Sequence, residues 1–169
     1  MKIFITGGQG FIAGRLAEYL YLQGYSITIG TRNINNNLSL NKEIKVTTIN
    51  WDNFNTLKNA LEGIDLIIHA AGPNATDSVN LLSETLKFSN EGTANLLKAA
   101  SHHGVNKLIY LSTAHVYRSP LLGTINEDTK LNNEHPYAKS HIAVESQIIS
   151  AKKKSSKNLN RFQKQINTL

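Results

Sequence analysis

The chain has 169 residues, 40% hydrophobic and 18% charged, with no cysteine; this suits one soluble domain with a real core and excludes disulfides and thiolate metal sites. No apolar run approaches the ~20 residues of a membrane span, and the short apolar run at the N-terminus lacks the form of a secretion signal, so the cytoplasm is the default localisation. The net charge of +6 is a local property: six of the eighteen basic residues, Lys152, Lys153, Lys154, Lys157, Arg161 and Lys164, fall in residues 151–169 without an acid, leaving twelve bases against twelve acids over residues 1–150. Residues 1–150 are expected to form the domain and 151–169 a basic polar tail. With no aromatic interleaving beyond Phe162, the tail reads as a solvated end in preference to a nucleic-acid contact.

Residues 2–25 carry the densest signal. Ile3, Phe4 and Ile5 read as a buried parallel strand, the segment Thr6-Gly7-Gly8-Gln9-Gly10 breaks it, and Phe11, Ile12, Leu16 and Leu20 recur at helical spacing up to Gly24, where a helix would end. Strand, glycine turn and helix in that order are the context of a dinucleotide-binding turn. Gly7 permits the tight turn, Gly10 lets the backbone approach a diphosphate, and Ala13 is the small residue between helix and strand. The unpaired N–H groups of the helix start, at Phe11 and Ile12, then face the anion. The bland alternative is a glycine-rich turn without chemistry.

Residues 26–30 predict a second strand, followed by Thr31-Arg32-Asn33. About 20 residues beyond the glycines, an acid would bond a ribose 2′-hydroxyl. Arg32 stands there instead, and its guanidinium suits a 2′-phosphate. NADP(H) is therefore favoured over NAD(H), the alternative being an ordinary surface arginine. Residues 33–43 read as a loop and 44–49 as a third strand, after which Asp52 is expected to cap a helix whose apolar face is Leu57, Ala60 and Leu61. Residues 66–72 predict a fourth strand running into Ala70-Ala71-Gly72, small enough to admit a flat cofactor; His69 reads as a structural histidine.

One long helix is predicted over residues 78–104, with Leu82, Leu86, Ala94, Leu97 and Ala100 on one side and Gly92 inside it for close packing. His102 and His103 near its end suit the negative pole of the dipole and make no metal site by themselves. Residues 107–111 predict a fifth strand leading to Ser112-Thr113, and residues 137–149 a helix that extends a little before order is lost. Five strands alternating with helices predict an α/β doubly wound parallel sheet.

With these elements in order, the chain resembles the extended short-chain dehydrogenase/reductase family, in its nucleotide-sugar epimerase/dehydratase group, over residues 1 to about 149. Thr6 to Ala13 resemble TGGxGFIG with Ala13 replacing the last glycine, and Asp52 resembles the family's adenine-contacting aspartate. His69-Ala70-Ala71-Gly72 resembles the HxAA strand end beside the cofactor, and Asn90 to Leu97 resemble NVxGTxNLL, which implies a site-ordering role for Asn90. The segment from Leu111 to Tyr117 resembles SSxxVYG, placing Thr113 at the catalytic hydroxyl, and Pro136 to Ser140 resemble PYxxSK, making Tyr137 the catalytic tyrosine. The resemblance implies an NAD(P)-binding fold, a nucleotide-sugar substrate, and a homodimer through the helices near 78–104 and 137–150.

Two departures qualify that expectation. The family's lysine, one helical turn after the tyrosine, is His141 here, and a neutral histidine supplies no cation to favour phenolate. Lys139 lies about 200° round the helix from the start of that turn and points elsewhere. Family members also continue past the tyrosine helix into a substrate-binding domain, whereas this chain stops about twenty residues after it, so the usual C-terminal substrate domain is expected to be lacking and the fifth strand to be left an open edge. Two readings follow: an epimerase/dehydratase-type oxidoreductase with Tyr137 as acid/base and Thr113 polarising the substrate oxygen, or a non-catalytic dinucleotide-binding or interaction protein of the same ancestry.

Overall fold

The computed structural model describes residues 1–34, 40–117, 120–121 and 123–156. Most of the basic tail, 157–169, lies outside the described residues. Five parallel strands form one sheet in the order β3-β2-β1-β4-β5: β1 Lys2–Thr6, β2 Ser26–Thr31, β3 Lys45–Thr48, β4 Leu66–His69 and β5 Leu108–Tyr110. Because successive side chains alternate across a strand, β1 sends Ile3 and Ile5 to one face and Phe4 to the other. The first face packs with Ile27, Ile29 and Ile68 against Ala13 and Ala17 of helix α1 (Phe11–Leu22). The second packs Phe4, Ile49 and Ile67 against Leu57 of α2 (Phe54–Ala60) and Leu96 and Ala99 of α5 (Thr93–His102). A sheet covered on both faces is why its strands read as unbroken apolar runs.

The strand order reverses between β1 and β4, so a crevice opens beyond their C-terminal ends, the place where open α/β sheets hold ligands. Chain geometry at the β1–α1 turn follows from its glycines. Gly7 has φ +69°, and a Cβ there would sit 2.8 Å from the Ala71 Cα. A Cβ on Gly8 would lie 2.2 Å from the Ile29 Cγ2. On α1 a Cβ on Gly14 would come 3.2 Å from the Gly8 carbonyl oxygen, and Ala13 is buried in one core with Ile3 and Ile5 of β1.

Two expectations are corrected. The predicted long helix over 78–104 is instead α3 (Ala75–Asn80), α4 (Leu82–Lys87), a π-helical turn (Phe88–Gly92) and α5. Leu81 breaks it with φ −123° and ψ 54°, and the wide turn shifts the register, so the buried side is Ser78, Thr85, Ser89, Thr93 and Leu96 while Leu82 and Leu86 are exposed. A hydrophobic count along a single straight helix misses such an inserted residue. Gly92 is not a forced close approach, since a Cβ there would meet Trp51 at 3.4 Å. Second, α2 is capped by Asn53, whose side chain accepts from the Asn55 N–H, and not by Asp52. The last helix, α6, runs Pro136–Ser156.

Removing the cap by Asn53→Ala is expected to lower unfolding free energy by about 1 kcal/mol, whereas Asp52→Ala leaves the denaturation midpoint unchanged. Urea titrations of the two variants check this; a larger loss for Asp52→Ala would restore Asp52 as the cap.

Candidate functional site

The crevice is a cleft of about 480 Å³ lined by Gly7, Gln9 and Gly10 of the first turn, Gly30, Thr31 and Arg32 at the end of β2, Ala70 to Asn74 after β4, and Asp77, Glu84 and Phe88 from the helices above. The fold therefore brings Gly7, Gly10, Arg32, Ala70, Ala71 and Gly72 to one site. Its floor is held by Thr6. The Thr6 Oγ1 accepts from the N–H of Ala70 and of Ala71, both at 3.1 Å. With both lone pairs taken, its own proton goes to the His69 Nδ1 at 2.7 Å.

His69 is thus an Nε2–H tautomer, completely buried among the rings of Trp51, Phe88 and Tyr110, with no hydrogen-bond partner for Nε2 among the described residues. Burial pushes its pKa from 6.5 down to about 3, with the charge of nearby His141 acting in the same direction. It is a structural histidine in a hydrophobic box.

The start of α1 is open for an anion. Gly10 precedes the helix without any side-chain cap, and the first intrahelical bond runs from the Gly14 N–H to the Gly10 carbonyl. The N–H groups of Phe11 and Ile12 lie ahead of that first bond, while their side chains point into solvent, 76% and 55% exposed. Neither side chain lines the cleft. Among the lining residues, Arg32 is the one cation beside the carboxylates of Asp77 and Glu84. Asp77 bonds the Asn74 side chain and Glu84 that of Ser83.

Asp52 stands just outside the cleft, exposed and paired with Lys87 at 2.8 Å, while its neighbour Trp51 lines the wall. Asn90 is exposed; the ordering bond on this stretch comes from the Asn95 amide, which donates to the Trp51 carbonyl at 2.9 Å.

Thr113, Tyr137 and His141 are not on the cleft wall. Thr113 follows β5 in extended conformation and accepts from the His115 N–H, capping a 3₁₀ turn at Ala114–Val116. Tyr137 opens α6, and its ring meets that of His141 edge-on at 4.6 Å. His141 is buried, its Nδ1 2.6 Å from the Tyr110 hydroxyl, and desolvation lowers its pKa to about 4. Lys139 turns away to an ion pair with Glu134. Burial, and secondarily the charge of Glu145, pushes the Tyr110 phenol well up, so it stays protonated.

The residues missed by sequence reading are Tyr110, Ser112 and Glu145. They form a ladder in which Tyr110 meets His141 and the Ser112 hydroxyl donates to Glu145 at 2.5 Å. Two residues along an extended chain advance about 6.6 Å and four along a helix 6 Å, so Tyr110 and Ser112 fall in step with His141 and Glu145.

A family model described as the NAD dependent epimerase/dehydratase family matches residues 3–160. Among curated proteins, the chain is similar to UDP-glucose 4-epimerase 2 of Oryza sativa subsp. japonica, 31% identical over 160 residues covering 85% of this chain and 38% of that protein. It is 32% identical over 169 residues to the dTDP-D-glucose 4,6-dehydratase of Dictyostelium discoideum, covering 85% of this chain and 38% of the relative. Among solved structures, the Thermus thermophilus UDP-glucose 4-epimerase in complex with NAD has the same fold, with TM-score 0.85 at 21% identity over 97% of this chain and 54% of that chain. The chain thus spans less than half the length of these two curated relatives and about half that of the solved chain.

His69 and His141 are held neutral in the native state, with folded pKa values near 3 and 4 against an ordinary 6.5. Between about pH 6.5 and 4 the unfolded chain therefore binds protons that the native chain does not, and stability falls on acidification by up to about 1.4 kcal/mol per pH unit for each histidine. Denaturation midpoints measured from pH 7 to 4.5 should fall more steeply for the wild type than for His141→Gln; parallel profiles would show that His141 protonates freely when folded.

Proposed function

We propose that this chain, which belongs to the NAD-dependent epimerase/dehydratase family, is the dinucleotide-binding part of an oxidoreductase-type epimerase or dehydratase acting on a nucleotide sugar. The observation that carries the reading is the convergence of Gly7, Gly10, Arg32 and Ala70 to Gly72 on one cleft at the reversal of strand order. The residues present fit a dinucleotide. The turn at Gly7 has no room for a side chain against Ala71, the uncapped α1 start offers N–H groups to a diphosphate, and the small residues after β4 leave a flat wall. Bound there, the nicotinamide would supply the hydride acceptor and donor.

This chain's own groups do the rest. Gly7 and Gly10 and the N–H groups of Phe11 and Ile12 hold the diphosphate, and Arg32 holds a ribose 2′-phosphate, which favours NADP(H). Asp52, free to leave its exposed pair with Lys87, is the adenine contact. Tyr137 moves the proton at the sugar oxygen, and Thr113 polarises that oxygen. A homodimer through α3 to α5 and α6 is part of the proposal, supported by the exposed Val79, Leu82 and Leu86.

A second reading, a dinucleotide-binding protein without catalysis, is favoured by His141. At the position of the family's lysine it is neutral and engaged with Tyr110. No cation then stands one turn from Tyr137 to favour its phenolate. The two readings share the cofactor and part at turnover.

Titration with NADPH and NADH, followed by nicotinamide fluorescence, tests the shared part. Micromolar binding, tighter for NADPH, is expected, and Arg32→Ala should weaken NADPH about tenfold, as for loss of one charged hydrogen bond, while leaving NADH within about twofold. Binding of neither dinucleotide would remove the proposal. With UDP-glucose as substrate, His141→Lys is expected to turn over faster than wild type; equal, measurable rates would show that the lysine's role is filled some other way.

A further inference from the structure

Outside the cleft, a hydrogen-bonded polar cluster lies in the seam between β5 and α6. The Tyr110 hydroxyl and the His141 Nδ1 are 2.6 Å apart, with ring centroids 5.7 Å apart and planes 31° from parallel. Which of them donates follows from what each would leave behind. If His141 donated, the Tyr110 proton would need another acceptor, and among the described residues none bonds it. An unmet buried donor costs about 1–3 kcal/mol. If Tyr110 donates, the spare proton is on the His141 Nε2, which is not among the buried atoms left without a partner in the described residues. The second arrangement leaves nothing unmet.

We propose that Tyr110 is a positioning residue whose O–H···Nδ1 bond locks His141 in the Nε2–H tautomer, so that the position one helical turn after Tyr137 presents a neutral hydrogen-bond donor in place of a cation. Three titratable neighbours surround the ring: Tyr110 from β5, Tyr137 from the first turn of α6, and His69 from β4, whose own protonation His141 opposes. The next rung, the bond from Ser112 to Glu145, fixes α6 against β5 and so fixes the distance across which Tyr110 reaches. The ligand class for an uncharged donor of this kind is a hydroxyl or carbonyl oxygen. On the proposed function, on which the ligand rests but the tautomer does not, that oxygen belongs to the bound dinucleotide or its substrate.

Nitrogen-labelled histidine in the full chain, observed by long-range proton–nitrogen correlation and assigned with His141→Gln, reads the tautomer directly. At pH 7 His141 should show a bare Nδ1 and a protonated Nε2. Tyr110→Phe should bring in the Nδ1–H form. An Nδ1–H tautomer in the wild type, which needs no variant to fold, would overturn the lock, as would a Tyr110→Phe spectrum identical at His141. NADH titration of the same samples separates the two layers. A several-fold loss of affinity in Tyr110→Phe supports the positioning role, and equal affinity overturns it. A locked His141 in a wild-type chain that binds no NADH upholds the tautomer and overturns the dinucleotide reading.

Discussion

One hydroxyl holds the cleft together. Thr6 ends β1, and its Oγ1 takes the N–H groups of Ala70 and Ala71 while giving its proton to His69. The end of β4 is thereby fixed to the root of the glycine turn, close enough that Gly7 cannot carry a side chain. The Gly7 N–H in turn reaches the Gly30 carbonyl at 3.0 Å, which ties the same turn to β2. Three strand ends are thus registered around one residue, and the cleft is the space they leave. A valine at position 6, near in shape, would strip two buried N–H groups of their acceptor and leave the His69 Nδ1 without its donor.

The other half of the site is built differently. Between β5 and α6 the contacts are side chain to side chain, the pairs being Tyr110 with His141 and Ser112 with Glu145. Both histidines near this seam stay neutral because burial penalises charge. A lysine at position 141 would have to bring a cation into a seam already holding a protonated phenol. Glu145, one turn further on, already accepts from the Ser112 hydroxyl. The seam as it stands is self-consistent without a cation, because Tyr110 satisfies the histidine.

Much of this was legible in the sequence. The five strands, the glycine turn and its adjoining helix, and the small residues after β4 are local signals: apolar runs, a positive-φ glycine, a strand that ends in alanines. Their grouping into one cleft follows from the sheet order, which the β-α alternation implied. What was not legible depended on geometry that residue types leave open. The π-helical turn at Phe88–Gly92 rotates Leu82 and Leu86 out and Thr85 and Ser89 in, against their hydrophobicity. Asn53 and Asp52 are both good caps by residue type, and only the path of the chain chooses Asn53. His141 was recognisable as a departure, but its partner lies 31 residues back on a neighbouring strand.

These two halves rest on different kinds of group. On the proposed reading, the cleft would hold an anion through peptide N–H groups, which carry no titratable charge, and through the Arg32 guanidinium. Its competence is set by backbone position and hence by Thr6 and the glycines. The Tyr137 half depends on the protonation states of side chains packed in one seam, and there a lysine-to-histidine exchange changes the electrostatics without disturbing the cleft. On the proposed reading the glycine turn bears on binding, whereas the tautomer of His141 bears on binding and turnover alike.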